Sequence, residues 1–153
     1  MKQLFLFLLF ITSAIPLAGE EKGADTPKIR LVLEVSDEEI APLNLKVSDL
    51  QTEIMTALIK QNILVQNDQK NPLLLLRLKT IQVGADYAGF VQLAFFEEAS
   101  LTRNNATVSA MTWSQASLLT TAKEDFNKEM TKTILSMTNR FITEYKKAFV
   151  PAS

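Results

Sequence analysis

The chain has 153 residues, 47% of them hydrophobic, with 16 Lys+Arg against 17 Asp+Glu and a formal net charge of −1. That is one domain's worth of sequence, and its charge balance argues against a dedicated nucleic-acid binder, which needs a basic surplus. It contains no His and no Cys, which excludes a Ser-His-Asp triad, a thiol nucleophile, a disulfide scaffold and a conventional zinc or haem site.

Met1-Lys2-Gln3 carries one positive charge, and Leu4 to Ile11 is an unbroken apolar run. Small residues and Pro16 follow before Ala18-Gly19 and the acidic pair Glu20-Glu21. This is the three-part pattern of an export signal, and the apolar run is too short to span a membrane. Residues 1–18 therefore read as a cleaved signal peptide, with cuts after Ala14 or Gly19 as alternatives. Loss of Lys2 takes the net charge from −1 to −2. A bacterial lipoprotein needs a Cys at the cleavage point, so the mature chain is expected to be soluble, with no stable membrane span. Export without disulfides points to a bacterial periplasm ahead of a eukaryotic or extracellular route.

Residues 19–27 read as a flexible lead-in and residues 28–153 as a single α+β domain. In Lys28–Val35, Ile29, Leu31, Leu33 and Val35 alternate with Arg30 and Glu34, as in a half-buried strand. Asp37, Glu38, Glu39 and Pro42 form a polar connection without the oxygen spacing of a calcium loop. Ser48-Asp49-Leu50-Gln51 matches a capping box. Leu50, Ile54, Ala57 and Leu58 then recur at helical spacing, predicting a helix over 49–61 that stops near Asn62. Ile63-Leu64-Val65 reads as a short strand.

Leu73–Leu76 is apolar on both faces, as in a central strand whose far end emerges at Arg77 and Lys79. Gly84-Ala85-Asp86 is a turn. The next strand is predicted from Ala88 to Leu101, then a hairpin turn at Arg103-Asn104-Asn105, then a strand from Ala106 to Trp113 or somewhat beyond. Asn105-Ala106-Thr107 matches a glycosylation sequon and reads as chance. Thr121-Ala122-Lys123-Glu124 is a second capping box. After it, Phe126, Met130, Ile134, Met137, Phe141, Tyr145 and Ala148 form one apolar face, widened by Leu135 and Ile142. Lys146 and Lys147 suit the last turn, and Pro151 closes the helix. The expected fold is α+β: a mostly antiparallel sheet of about four strands, with two helices packed on one face.

The helix Ser48–Gln61 ahead of a hydrophobic strand, the stripe Phe126–Ala148, and Thr112-Trp113 before the last helix carry a resemblance in layout. From Ile29 to Val150 the chain resembles the small α/β domains of bacterial envelope accessory proteins, such as the TolB N-terminal domain, CsgG-type secretion proteins and auxiliary components of lipid-transport ABC systems. The resemblance implies a cell-envelope role within an assembly.

No nucleotide-binding or hydrolase motif occurs, so no catalytic residue, cofactor or metal site is expected. Asp37, Glu38, Glu39, Asp86, Glu97 and Glu98 are the acids a carboxylate-dependent hydrolase would need. Adjacent Glu97 and Glu98 point to opposite sides of a strand. The leading expectation is a non-catalytic periplasmic protein that binds an envelope protein or lipid, with oligomerisation open. A carrier of a small apolar ligand, held between the helix Phe126–Phe149 and the sheet, is the alternative. Tyr87, Phe90, Phe96 and Trp113 are the candidate partner-binding residues, because aromatic side chains concentrate binding energy at interfaces. Phe96 falls on the strand face opposite Val91, Leu93 and Phe95.

Overall fold

The computed structural model describes residues 26–35 and 40–149. The segment read as a signal peptide, most of the expected lead-in, Asp37, Glu38, Glu39 and Pro151 lie outside the described residues. The elements are β1 (Lys28–Val35), a 3-10 turn (Ala41–Leu43), α1 (Val47–Ile59), β2 (Leu64–Val65), β3 (Leu73–Val83), β4 (Asp86–Ser100), β5 (Thr107–Ala122) and α2 (Lys123–Phe149). This is the element order read from the sequence.

The sheet has five strands in the order β2-β1-β3-β4-β5, roughly the expected number of about four. It is also mixed. β1 runs parallel to both β2 and β3, while β3, β4 and β5 form the expected antiparallel meander. The parallel pairs follow from α1, which carries the chain from β1 back to the start of β2, as a crossover between parallel strands must.

Helix boundaries depart from the capping-box reading. Lys46 is the N-cap of α1, with extended backbone and no side-chain cap, and Ser48 lies inside the first turn, donating to Asp49 Oδ1. Tertiary packing fixes this start: Leu45 and Leu50 are both buried in the core, at the N′ and N4 positions of a hydrophobic staple. The stop is as expected. Asn62 takes a φ of 60°, its N–H donates to Ile59 C=O, and Ile63 N–H donates to Leu58 C=O, which is a Schellman closure. Thr121 remains in β5 opposite Tyr87, and α2 starts at Lys123, with Glu124 and Asp125 in its first turn and Lys146 and Lys147 in its last.

The stripe of α2 is buried from Phe126 through Tyr145, whereas Ala148 is exposed. It lies on a sheet face built from rows of paired residues. Leu31, Leu74, Phe95 and Trp113 form one row; Leu33, Leu76, Leu93 and Gln115 the next; Val35, Leu78, Val91 and Ser117 a third. Ile29 and the α1 residues Leu50, Ile54 and Leu58 complete this core. Ile40 and Leu43, around the segment read as a polar connection, are buried in it too.

Two glycines matter. Gly84 opens the two-residue turn between β3 and β4 at φ 65°, as a type II′ hairpin requires. Gly89 lies beneath the start of α2, where a Cβ would come within 2.4 Å of Met130 Cε and 2.7 Å of Phe126 Cζ.

Candidate interaction surface

Because side chains alternate along a strand, the residues between those core rows point to the other face. There Arg30, Leu73, Phe96 and Met111 form one row, and Val32, Leu75, Ala94 and Ser114 the next. Glu34, Arg77, Gln92 and Ala116 form a polar row, followed by Lys79, Phe90 and Leu118, and then Ile81, Ala88 and Thr120. Both helices pack on the opposite face, and no element among the described residues covers this one.

The open face is nevertheless apolar. Leu118 is 74% exposed, Ile81 64%, Met111 54% and Phe90 39%. Leu75 and Ala94 are buried among their own strand neighbours and take no part in the helix-covered core. Two apolar clusters result, around Phe96 and around Phe90–Leu118, divided by the polar row. Within that row Arg77 Nε donates to Glu34 Oε2 at 2.7 Å.

The four predicted aromatic residues separate between the faces. Phe90 and Phe96 lie on the open face. Tyr87 is buried under α2, edge-on to Phe126 with ring centroids 6.1 Å apart. Trp113 is half-buried on the covered side, 5.3 Å from the Phe141 ring, and its indole N–H donates to Glu144. The structure thus assigns Tyr87 and Trp113 to packing and does not bring the four together. Phe95 and Phe96 are consecutive yet point apart, and the register of β5 shifts between their partners: Phe95 faces Trp113, Phe96 faces Met111, and Thr112 is the extra residue of a β-bulge.

Sequence reasoning missed Leu118, Ile81 and Met111. The missed signal was the length of β5. From Thr107 to Ala122 there is no Gly, Pro or charge to stop a strand, and Trp113, Gln115, Ser117 and Leu119 alternate with Ser114, Ala116, Leu118 and Thr120 throughout.

The other candidate chemistry is dispersed. Asp86 begins β4, whereas Glu97 and Glu98 lie near its far end, and Glu97 Oε2 accepts from Thr112 Oγ1 at 2.7 Å. Burial pushes the Tyr145 phenol above its ordinary value, with the nearby Glu97 charge a smaller cause. The space between α2 and the sheet is taken up by Phe95, Phe126, Met130, Ile134, Met137 and Phe141, so the location expected for a carried ligand is filled by side chains. A wide-open groove of about 900 Å³ between α1 and α2 is lined mainly by polar residues, including Glu53, Asn127, Lys132 and Asn139. No helix among the described residues is long and apolar enough to cross a membrane.

No protein-family model matches the chain, and no curated protein matches it. Among solved structures it is similar to a minor lipoprotein from Acinetobacter baumannii, with 14% identity and a TM-score of 0.41 over 84% of this chain and 98% of that one. It is also similar to a hypothetical protein from Chlamydia trachomatis, with 12% identity and a TM-score of 0.47 over 84% of this chain and 99% of that one.

Proposed function

We propose that this chain is an exported, non-catalytic component of a bacterial cell envelope that docks a partner protein on its open sheet face. The observation that carries the reading is the exposed apolar set Phe90, Leu118, Ile81 and Met111 on a face that neither helix covers. Exposed apolar clusters of this kind mark interaction sites. The leader pattern of residues 1–18 supports export.

A protein suits this surface better than acyl chains do. The row Glu34–Arg77–Gln92 crosses the middle of the face between its two apolar clusters. Acyl chains would desolvate the Glu34–Arg77 pair and leave the Gln92 amide unmet, at a cost in free energy, whereas a protein can supply matching donors and acceptors.

A photo-crosslinking amino acid at position 90, compared with one at Lys132 on the helix side, tests this in living cells. A discrete protein adduct from position 90, absent from position 132 and abolished by Ile81→Asp with the melting temperature unchanged, is the expected result. Lipid adducts alone, or equal adducts from both positions, would reject a protein-docking face.

A further inference from the structure

The two edge strands of the sheet are built differently. β2 is only two residues long, and a very short strand is one way proteins blunt a sheet edge. β5 is sixteen residues long, and no strand among the described residues pairs with its outer side. Every second residue of such an edge directs its N–H and C=O away from the sheet, where they pair with water or with another strand. Edges of this length usually carry Lys, Glu or Pro to repel an incoming strand. From Thr107 to Ala122, β5 has no charged residue, no Pro and no Gly. Its one irregularity, the bulge at Thr112, leaves Trp113–Ala122 as an unbroken ladder.

We propose that β5 is a self-association edge, through which two copies of this chain pair antiparallel within Trp113–Ala122, centred on Leu118, into one continuous sheet. The proposal concerns the edge and stands apart from the protein docked on the face. Three observations favour a second copy as the occupant. An antiparallel strand that meets itself about a twofold axis sets each residue opposite one from the same short stretch; any charge near the axis would face its like, and this stretch has none. Leu118, near the middle of that stretch and 74% exposed, would come beside its counterpart, so the Phe90–Leu118 clusters of two copies would join across the seam. Finally, the ladder gives about ten interstrand hydrogen bonds over about 34 Å. That is a contact at the low end of interface sizes, suited to a reversible dimer.

Sedimentation equilibrium on protein purified from cells expressing the whole chain tests the idea. The wild type should pass from monomer to dimer between about 1 and 100 µM. Because no charge lies in the contact, the transition should hold from about 0.05 to 0.5 M salt. Leu118→Lys and Leu118→Glu should each raise the dissociation constant at least about tenfold, and an equimolar mixture of the two should recover the dimer. Ile81→Asp, on an inner strand, should dimerise normally while losing the face partner, so failure of one reading is distinguishable from failure of the other. Should either Leu118 variant unfold, hydrogen exchange on the wild type replaces it: alternate amides of Trp113–Ala122 should gain protection as concentration rises. A wild type that stays monomeric throughout, a dimer indifferent to both Leu118 variants, amides whose protection ignores concentration, or an edge filled by a strand from another protein would each overturn the proposal.

Discussion

The two faces of this sheet are made by the same strands, one residue apart, yet they have different physical tasks. On the covered face, Phe95 is packed between Phe141 and Tyr145, with ring centroids 5.1 Å and 5.5 Å away. On the open face, Phe96 is half-buried, and its row contains Leu73 and Met111 but no helix. Both faces are rich in apolar side chains, so hydrophobicity alone does not reveal which one is the core. The difference lies in what is laid on top: one stripe of α2 and one of α1 match the first face, and no such partner is described for the second.

The strongest way to break this comparison is to truncate the two neighbouring phenylalanines in turn. Phe95→Ala should cost about 3–5 kcal/mol, because it opens a cavity in a packed core. Phe96→Ala should cost about 1 kcal/mol or less, since its surroundings can relax toward solvent. Urea unfolding with an unchanged slope checks both values. Equal losses would mean that the open face is covered in the folded protein.

A second pair of substitutions sharpens the same contrast by adding atoms. Gly89→Ala forces a methyl group against Met130 and the Phe126 ring. The Met130 end can swing aside more readily than the ring, so a net cost of about 1–3 kcal/mol is expected from overpacking. Ala88→Val, the adjacent residue on the open face, adds two carbons to a position paired with Ile81 and Thr120. It should change stability by about 0.5 kcal/mol or less. Thermal unfolding of the two variants side by side decides the point.

Much of this architecture was legible because burial writes itself into spacing. The α2 stripe follows 3.6-residue periodicity, and β1 alternates except at Val32, so both are placed from residues alone. The place of β3 beside β1, on the side away from β2, is not, because no local pattern encodes which side of β1 the chain takes after Pro72. The start of α1 was misplaced for a related reason. Ser48 has the chemistry of an N-cap, but the burial of Leu45 and Leu50 sets the entry of the chain two residues earlier. Residue type points to Phe90 and Phe96, which lie on the open face, and the parity of Phe96 against Val91, Leu93 and Phe95 points to that face as well. Tyr87 and Trp113 share that residue type but lie on the other parity, under α2, so residue type without parity does not separate the faces. Leu118 was hidden because β5 extends through a run of Ser and Thr that resembles a loop in composition yet alternates like a strand.

The smallest expected effect sits where the covered face meets solvent, at Trp113. Its indole N–H and the Arg140 guanidinium both bind Glu144. Arg140, then the indole, holds the Glu144 carboxyl below its ordinary value of 4.5. A carboxyl whose folded-state pKa is depressed contributes stability above its unfolded value, and that contribution is lost as pH falls through the lower, folded value. Glu144→Gln should therefore lower the melting temperature slightly at neutral pH, and the gap from wild type should close on acidification below 4.5. The pair is exposed on the Arg140 side, so added salt should shrink the neutral-pH gap as well. A gap independent of both pH and salt would show that Glu144 acts by covering the Trp113 ring, which would make this rim an extension of the packed face rather than an electrostatic border to it.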